Sequence, residues 1–168
     1  MGPVVSEAQY QKVLSYIQIA KDEGAELLLG GNEMKIDGCP GGYFVEPTVF
    51  GNVASKMRIA QEEVFGPIMS LMPYNDLDEA VEIANSTTYG LTAAVWTNNY
   101  FTAMELSRSI EAGYVWINGV GNHYRGLPYG GYKNSGIGRE EGLDEMLSYT
   151  EVKSLNFAMG QADRAKNS

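Results

Sequence analysis

The sequence predicts an α/β fold built on parallel strands, and three observations carry that expectation. From Ile68 to Ile117, short runs of strand-forming residues alternate with stretches whose apolar positions recur at helical spacing. The connections are long enough for crossovers, which makes the strands parallel and the crossovers right-handed. Helix starts carry capping side chains, and glycines mark the stops.

The elements follow in order. Met1 to Val5 is a short extended lead. Ser6-Glu7-Ala8-Gln9 has the form of a capping box, and Tyr10, Val13, Leu14, Ile17 and Ala20 share one face, so a helix is expected from about Glu7 to Glu23, stopped by Gly24. Glu26 to Leu29 reads as a strand turning at Gly30-Gly31-Asn32. Lys35 to Gly42 is a loop. Tyr43 to Val45 and Thr48 to Phe50 are short strand candidates separated by Pro47, which predicts an edge or a bend. Ile68 to Met72, Leu91 to Trp96 and Tyr114 to Ile117 are the three strands of the βαβαβ layer. Asp76 opens the first intervening helix, which runs through Ile83 and Ala84; Asn98 or Asn99 opens the second, stopped near Gly113. A carboxylate-rich helix start is expected from Arg139 to Met146, then a strand from Ser148 to Phe157 and a polar tail. A strand at the end of a chain is available to another subunit.

Composition bounds the function. With 168 residues the chain is long enough for a real core, and its 44% apolar and 20% charged content is ordinary for a globular protein. A net charge of −9 excludes a basic footprint for nucleic acid or an anionic membrane surface. No apolar run approaches membrane-spanning length. The single cysteine, Cys39, excludes an internal disulfide and fits a reducing compartment, so a cytoplasmic setting is expected.

Candidate chemistry gathers in a few stretches. In Gln61-Glu62-Glu63-Val64-Phe65-Gly66-Pro67, two carboxylates precede an aromatic ring and a Gly-Pro turn. This is either a solvated turn or a ligand clamp, in which a carboxylate accepts from hydroxyl donors and Phe65 offers a flat face to a planar ring. The residues alone leave the choice open. Asn118 to Gly126 lies beyond the end of a predicted strand, where binding loops gather in such sheets. It holds the only histidine, His123, and reads as a phosphate cradle around Arg125 or as a pocket wall; Pro128, Gly130 and Gly131 prevent a prompt helix start and weaken the cradle. Gly136-Ile137-Gly138-Arg139-Glu140-Glu141-Gly142 has the spacing of a dinucleotide fingerprint but not its preceding strand, so that reading is rejected. Cys39 sits in a glycine-flanked loop with nothing to activate a thiol. No metal-ligand cluster is present in the sequence.

Four motifs in order then carry a resemblance: Glu62 to Pro67, Ala84 to Leu91, Gly113 to Asn118 and Pro128 to Glu140. From about Gly2 to Phe157 the chain resembles the C-terminal third of an NAD(P)-dependent aldehyde dehydrogenase. The resemblance implies that residues 1–147 belong to the catalytic domain and that 148–168 form an oligomerisation strand and tail. It matches Glu63 to a glutamate that binds the nicotinamide ribose hydroxyls and Phe65 to a phenylalanine that positions that ribose and ring. Asn118 matches an asparagine beside the active site, His123 and Tyr129 fall among residues lining the aldehyde tunnel, and Glu140 matches a glutamate on a proton path behind the site. The family's nucleophilic cysteine, general base and Rossmann domain lie upstream of the matched part, and Cys39 falls in a variable loop. The implied function is NAD(P)-dependent oxidation of a small aldehyde to a carboxylic acid by the complete enzyme. This chain alone is expected to be inactive, to bind neither NAD nor NADP tightly, and to associate with the missing N-terminal portion or with copies of itself. The alternative is a non-catalytic assembly or binding protein derived from the family.

Overall fold

The computed structural model describes residues 1–157. Helix α1 (Glu7–Asp22) starts where Ser6 Oγ accepts from the Gln9 backbone N–H at 3.2 Å, and ends where Gly24 takes a left-handed φ of +91°. Its Val13, Tyr16, Ile17 and Ala20 are buried. Strand β1 (Glu26–Leu29) follows, then β2 (Glu33–Met34) paired antiparallel with β3 (Phe44–Val45). Strand β4 (Thr48–Gly51) is the middle strand of a three-stranded sheet, antiparallel to β1 and parallel to β5 (Ile68–Ser70). The short helix α2 (Arg58–Gln61) lies between β4 and β5.

Pro47 therefore does not push its strand to an edge. It sits one residue before β4, where its missing N–H costs no ladder bond, and Thr48 donates to the Pro67 carbonyl at 2.9 Å. Phe50 and Thr48 are fully buried, and Phe50 belongs to a core with Val13, Ile17, Ala20, Val45, Val53, Ile59 and Val64.

The second half alternates as expected. Helix α3 (Leu77–Asn85) is capped by Asp76, whose carboxylate accepts from the Glu79 N–H at 2.9 Å. Strand β6 (Tyr89–Gly90) precedes β7 (Thr92–Val95); α4 (Tyr100–Ser109) is capped by Asn99; and β8 (Tyr114–Ile117) runs parallel to β7. Strand β9 (Tyr132–Lys133) pairs antiparallel with β6, and α5 (Leu143–Ser148) ends the regular structure.

Three expectations need correction. The βαβαβ layer is interrupted, because β5 bonds to β4 and β7 to β8 but not β5 to β7. The acidic helix begins at Leu143 rather than Arg139, since Arg139 and Glu140 are drawn into extended backbone by the Tyr129–Glu140 bridge. The strand expected over Ser148 to Phe157 is not formed: Ser148 closes α5, and 151–157 are exposed with no ladder to a described strand. A strand needs a partner for its backbone groups, and the described residues offer none there. Residues 158–168, where the predicted tail falls, lie outside the described part. No described helix is long and apolar enough to cross a membrane.

Candidate functional site

The heptad from Gln61 is built from α1 outward. Glu62 ends α2 and is consumed by structure: Arg58 reaches it with Nε at 2.8 Å and Nη2 at 3.0 Å, and the Tyr16 hydroxyl donates to it. Those hydrogen bonds, from Arg58 first and Tyr16 second, hold the Glu62 carboxyl down at about 2. The same contact raises the Tyr16 pKa, and the Arg58 guanidinium stands 5.4 Å from the Tyr16 ring centroid. Of the two adjacent carboxylates, Glu62 is thus an anchor.

Glu63 is left for other work. Its backbone carbonyl accepts from Lys12 Nζ at 2.9 Å, but among the described residues its carboxylate accepts no hydrogen bond. Gln9 Nε2 donates to the Val64 carbonyl at 2.8 Å and to the Phe65 carbonyl at 2.9 Å. Between these pins Phe65 has a φ of +60°, in the left-handed region that costs a non-glycine residue roughly 1–2 kcal/mol. Such a conformation persists only where its surroundings over-determine it, and Gln9 supplies that. Gly66 is required by close approach, because a Cβ there would run into Val13 of α1. The outcome is a Phe65 ring that is 73% exposed beside an available carboxylate. Glu63 also lines a cleft of about 580 Å³ with Thr87, Tyr89, Leu91, Ile110 and Ser135.

The loop after β8 forms a second group. Asn118 has a φ of +52° and clips the ends of β7 and β8 together: its Oδ1 accepts from the Thr97 N–H at 2.8 Å and its Nδ2 donates to the Thr97 carbonyl at 2.9 Å. Its amide serves the scaffold in this chain. His123 packs among rings, stacked on buried Tyr114 at 5.6 Å between centroids and 4.6 Å from Tyr129, with Trp116 at 5.9 Å. Trp116 Nε1 donates to the Asn122 carbonyl at 2.8 Å, which fixes the loop over the cluster. His123 Nδ1 pairs with the Glu141 carboxylate at 2.9 Å.

Glu140 joins this group through its backbone. Its N–H donates to the Tyr129 carbonyl at 2.7 Å and its carbonyl accepts from the Tyr129 N–H at 2.9 Å. Both residues line a hollow of about 520 Å³ with Leu91, Arg139, Asp144 and Tyr149. The structure therefore brings together His123, Tyr129 and Glu140, with Asn118 at the root of their loop. Glu63 and Phe65 form a separate group, and Leu91 is common to the Glu63 cleft and the Glu140 hollow. Cys39 is exposed in another groove and makes no hydrogen bond through sulfur to a described residue. No group of three or more His, Cys, Asp or Glu side chains among the described residues is arranged to hold a metal.

Sequence reasoning missed Gln9, Lys12, Tyr16 and Glu141. The first three share a helix face, which was a readable signal, but their partners stand 46–56 residues away. Nothing local marked Glu141 as the partner of His123.

Comparison with known proteins decides the lineage. The profile described as "Aldehyde dehydrogenase family" matches residues 1–155. The chain belongs to the aldehyde dehydrogenase family. Aldehyde dehydrogenase tropH of Talaromyces stipitatus is 47% identical over 165 residues, covering 96% of this chain and 32% of the relative. Putative aldehyde dehydrogenase DhaS of Bacillus subtilis is 48% identical over 157 residues, covering 92% of this chain and 30% of the relative. The solved aldehyde dehydrogenase of Bacillus cereus in complex with NAD+ superposes with a TM-score of 0.86 at 45% identity, covering 92% of this chain and 31% of that one. The chain thus spans about a third of the length of the dehydrogenases it matches, and its α/β fold is theirs.

Proposed function

We propose that this chain is the C-terminal third of an aldehyde dehydrogenase subunit, and that residues 1–147 contribute part of the cofactor grip and part of the aldehyde pocket wall. The observation that carries the reading is the geometry at Phe65: an exposed residue held in a strained left-handed conformation two positions after Glu63, whose carboxylate accepts no hydrogen bond from the described residues. A nicotinamide riboside suits these groups, since the Glu63 carboxylate accepts from vicinal hydroxyls and the Phe65 face packs against a flat ring. When bound, NAD or NADP accepts the hydride of the oxidised aldehyde. The Bacillus cereus neighbour was solved with NAD+, which favours NAD in the complete enzyme.

In this reading His123 and Tyr129 line the path of a small aldehyde, with Glu141 fixing the imidazole. Asn118 holds the floor of that wall through the β7–β8 clip, and Glu140 stands behind it on a proton path. The 168 residues alone are inactive, because aldehyde oxidation in this family runs through a thiolate and Cys39 sits exposed with no activating partner among the described residues. They bind the dinucleotide weakly for a separate reason: Glu63 and Phe65 supply only one side of the grip.

The chain needs a cover. Trp96, Phe101, Ile117, Leu143 and Met146 are all exposed large apolar residues, and apolar surface left open to water favours association. The remainder of a dehydrogenase subunit suits that surface, and the exposed residues 151–157, which join no described ladder, suit strand addition to a neighbour. A net charge of −9 argues against nucleic acid as the partner.

The test is direct. The purified chain, given NAD+ and a simple aldehyde, is expected to produce no NADH. Mixed with the upstream two-thirds of the Bacillus subtilis relative, it is expected to form a complex on sizing and to restore turnover. Robust turnover by the chain alone overturns the inactivity, and a compact monomer that ignores the upstream portion favours a non-catalytic descendant of the family.

A further inference from the structure

We propose that Lys133 is a positioning residue for the His123–Tyr129 wall, acting through the hairpin that runs from Tyr129 to Glu140. Its importance for an aldehyde rests on the reading above, but the positioning itself does not.

Lys133 has a φ of +51°, where glycine or asparagine is at ease and a lysine is strained by roughly 1–2 kcal/mol. A side chain retained at such a position is compensated elsewhere, and here the compensation is visible. The ammonium donates to the carbonyls of Asn85 at 2.8 Å and Thr87 at 3.1 Å, and pairs with the Glu111 carboxylate at 2.6 Å. Asn85 is the last residue of α3, so the cation sits where a helix leaves carbonyls without partners. The receptor is itself braced, since Asn85 Oδ1 accepts from the Glu111 N–H at 2.7 Å and Asn85 Nδ2 donates to the Ser109 carbonyl at 2.8 Å. One lysine therefore ties β9 to the ends of both α3 and α4.

What it ties down is the hairpin. Strand β9 pairs with β6 by only two residues from each strand, too little ladder to fix the arm by itself. The arm passes so close to Gly113 that a Cβ there would strike the Gly130 carbonyl, so no side chain wedges it in place from that side. Polar pins remain, and Lys133 makes three of them. Tyr129, at the root of the arm, is bridged to Glu140 and stands 4.6 Å from His123. Releasing the arm at Lys133 lets Tyr129 leave the imidazole.

The single histidine makes this measurable, because its two ring C–H resonances in a proton spectrum belong to His123 alone. Lys133→Met is expected to move both toward the shifts of a free imidazole as the stacked rings part. It is also expected to speed amide exchange at Tyr129 and Glu140 by about tenfold or more, while exchange in α1 and β4 stays unchanged. Lys133→Arg is expected to keep the wild-type resonances. Lys133→Gly, which relieves the backbone but removes the ammonium, is expected to behave like Lys133→Met. Should Lys133→Met not fold, Glu111→Gln removes one pin and is expected to shift the His123 resonances in the same direction by less. Unmoved resonances in Lys133→Met or in Glu111→Gln, or wild-type behaviour of Lys133→Gly, overturn the proposal. None of these readouts needs cofactor or aldehyde. An inactive reconstituted enzyme with the expected spectra would sink the dehydrogenase reading and leave the positioning role standing.

Discussion

Residues 7–72 and residues 77–149 are held together by different physics. The first region owns a core: one cluster of buried side chains joins α1, β3, β4 and α2, from Val13 to Val64. The second region has the same kinds of element but only Val95, Ala103 and Tyr114 as buried apolar residues. No residue of α3 or α5 is buried, and Phe101 of α4 is 80% exposed. Its order comes from backbone ladders, side-chain clips such as Asn118, and the Lys133 pins. An α/β region whose helices bury almost nothing leaves apolar surface open to water, which is the surface the proposed remainder of a subunit would cover. Regular secondary structure is therefore a poor guide to which part of this molecule is self-sufficient.

The sharpest way to break that comparison is to remove the anchor of the first region. Phe50 is completely buried in β4, and Phe50→Ala is expected to cost about 3–5 kcal/mol by lost burial and an unfilled cavity. Chemical denaturation followed by amide exchange should show α1, β1 and β4 losing protection together. A loss below about 1 kcal/mol would mean that the core does not hold the region. No substitution of one apolar residue in α3 is expected to approach this effect.

The sequence revealed the elements better than it revealed their tasks, and two capping sequences show why. Ser6 to Gln9 and Asp76 to Glu79 have the same outward form. At the second site, the N-cap Asp76 accepts from the Glu79 N–H, and the Glu79 carboxylate reaches back to the Asn75 N–H at 2.7 Å. At the first, Ser6 caps as expected, but the Gln9 side chain turns away to hold the Val64 and Phe65 carbonyls. Local pattern placed both helix starts correctly. It carried no trace of a partner 55 residues later, because contact at that separation is decided by packing and not by neighbours in the chain. The interrupted layer has the same origin: alternation predicts parallel strands, but which edges meet depends on everything else in the sheet. The doublet of Glu62 and Glu63 was visible at once, but only geometry separated the anchor from the available carboxylate.

Gln9 sharpens the comparison at a single joint. Gln9→Ala removes the hydrogen bonds to the Val64 and Phe65 carbonyls and is expected to cost about 1–2 kcal/mol, with amide exchange rising at Phe65 and Gly66 before it rises in the rest of the first region. Loss of protection spread evenly over the region would contradict a local pin. Phe65→Asn works in the opposite direction. Asparagine accepts a φ of +60° at little cost, and the exposed phenyl ring gives up little burial, so a gain of about 0.5–1 kcal/mol is expected. A stabilised variant that also grips nicotinamide nucleotides less well in the reconstituted enzyme is the signature of strain kept for function.

The smallest effect is a pH dependence, and its sign follows from Glu62. Hydrogen bonds from Arg58 and Tyr16 hold this carboxyl at about 2 in the folded chain, against an ordinary value of 4.5. A depressed carboxyl binds its proton less readily folded than unfolded, so it contributes stability above the unfolded value and loses it as pH falls toward the folded one. The contribution is complete above about pH 4.5 and fades between there and about pH 2. The side chains of Arg58 and Glu62 are 49% and 41% exposed, so solvent screening keeps the effect modest and salt weakens it. Glu62→Gln keeps a carbonyl acceptor but has no charge to titrate, and it is expected to flatten the stability profile in that acid window while leaving neutral-pH stability slightly reduced. Because Glu62 stands one residue from the clamp, acid should loosen the heptad before it reaches β4, and amide exchange at Val64 and Phe65 below pH 4 would register that order. A wild-type profile that matches Glu62→Gln across the window would mean that the charge on Glu62 contributes nothing to the first region, and that the segment is held by neutral hydrogen bonds such as those of Gln9 and by the packing of Val64.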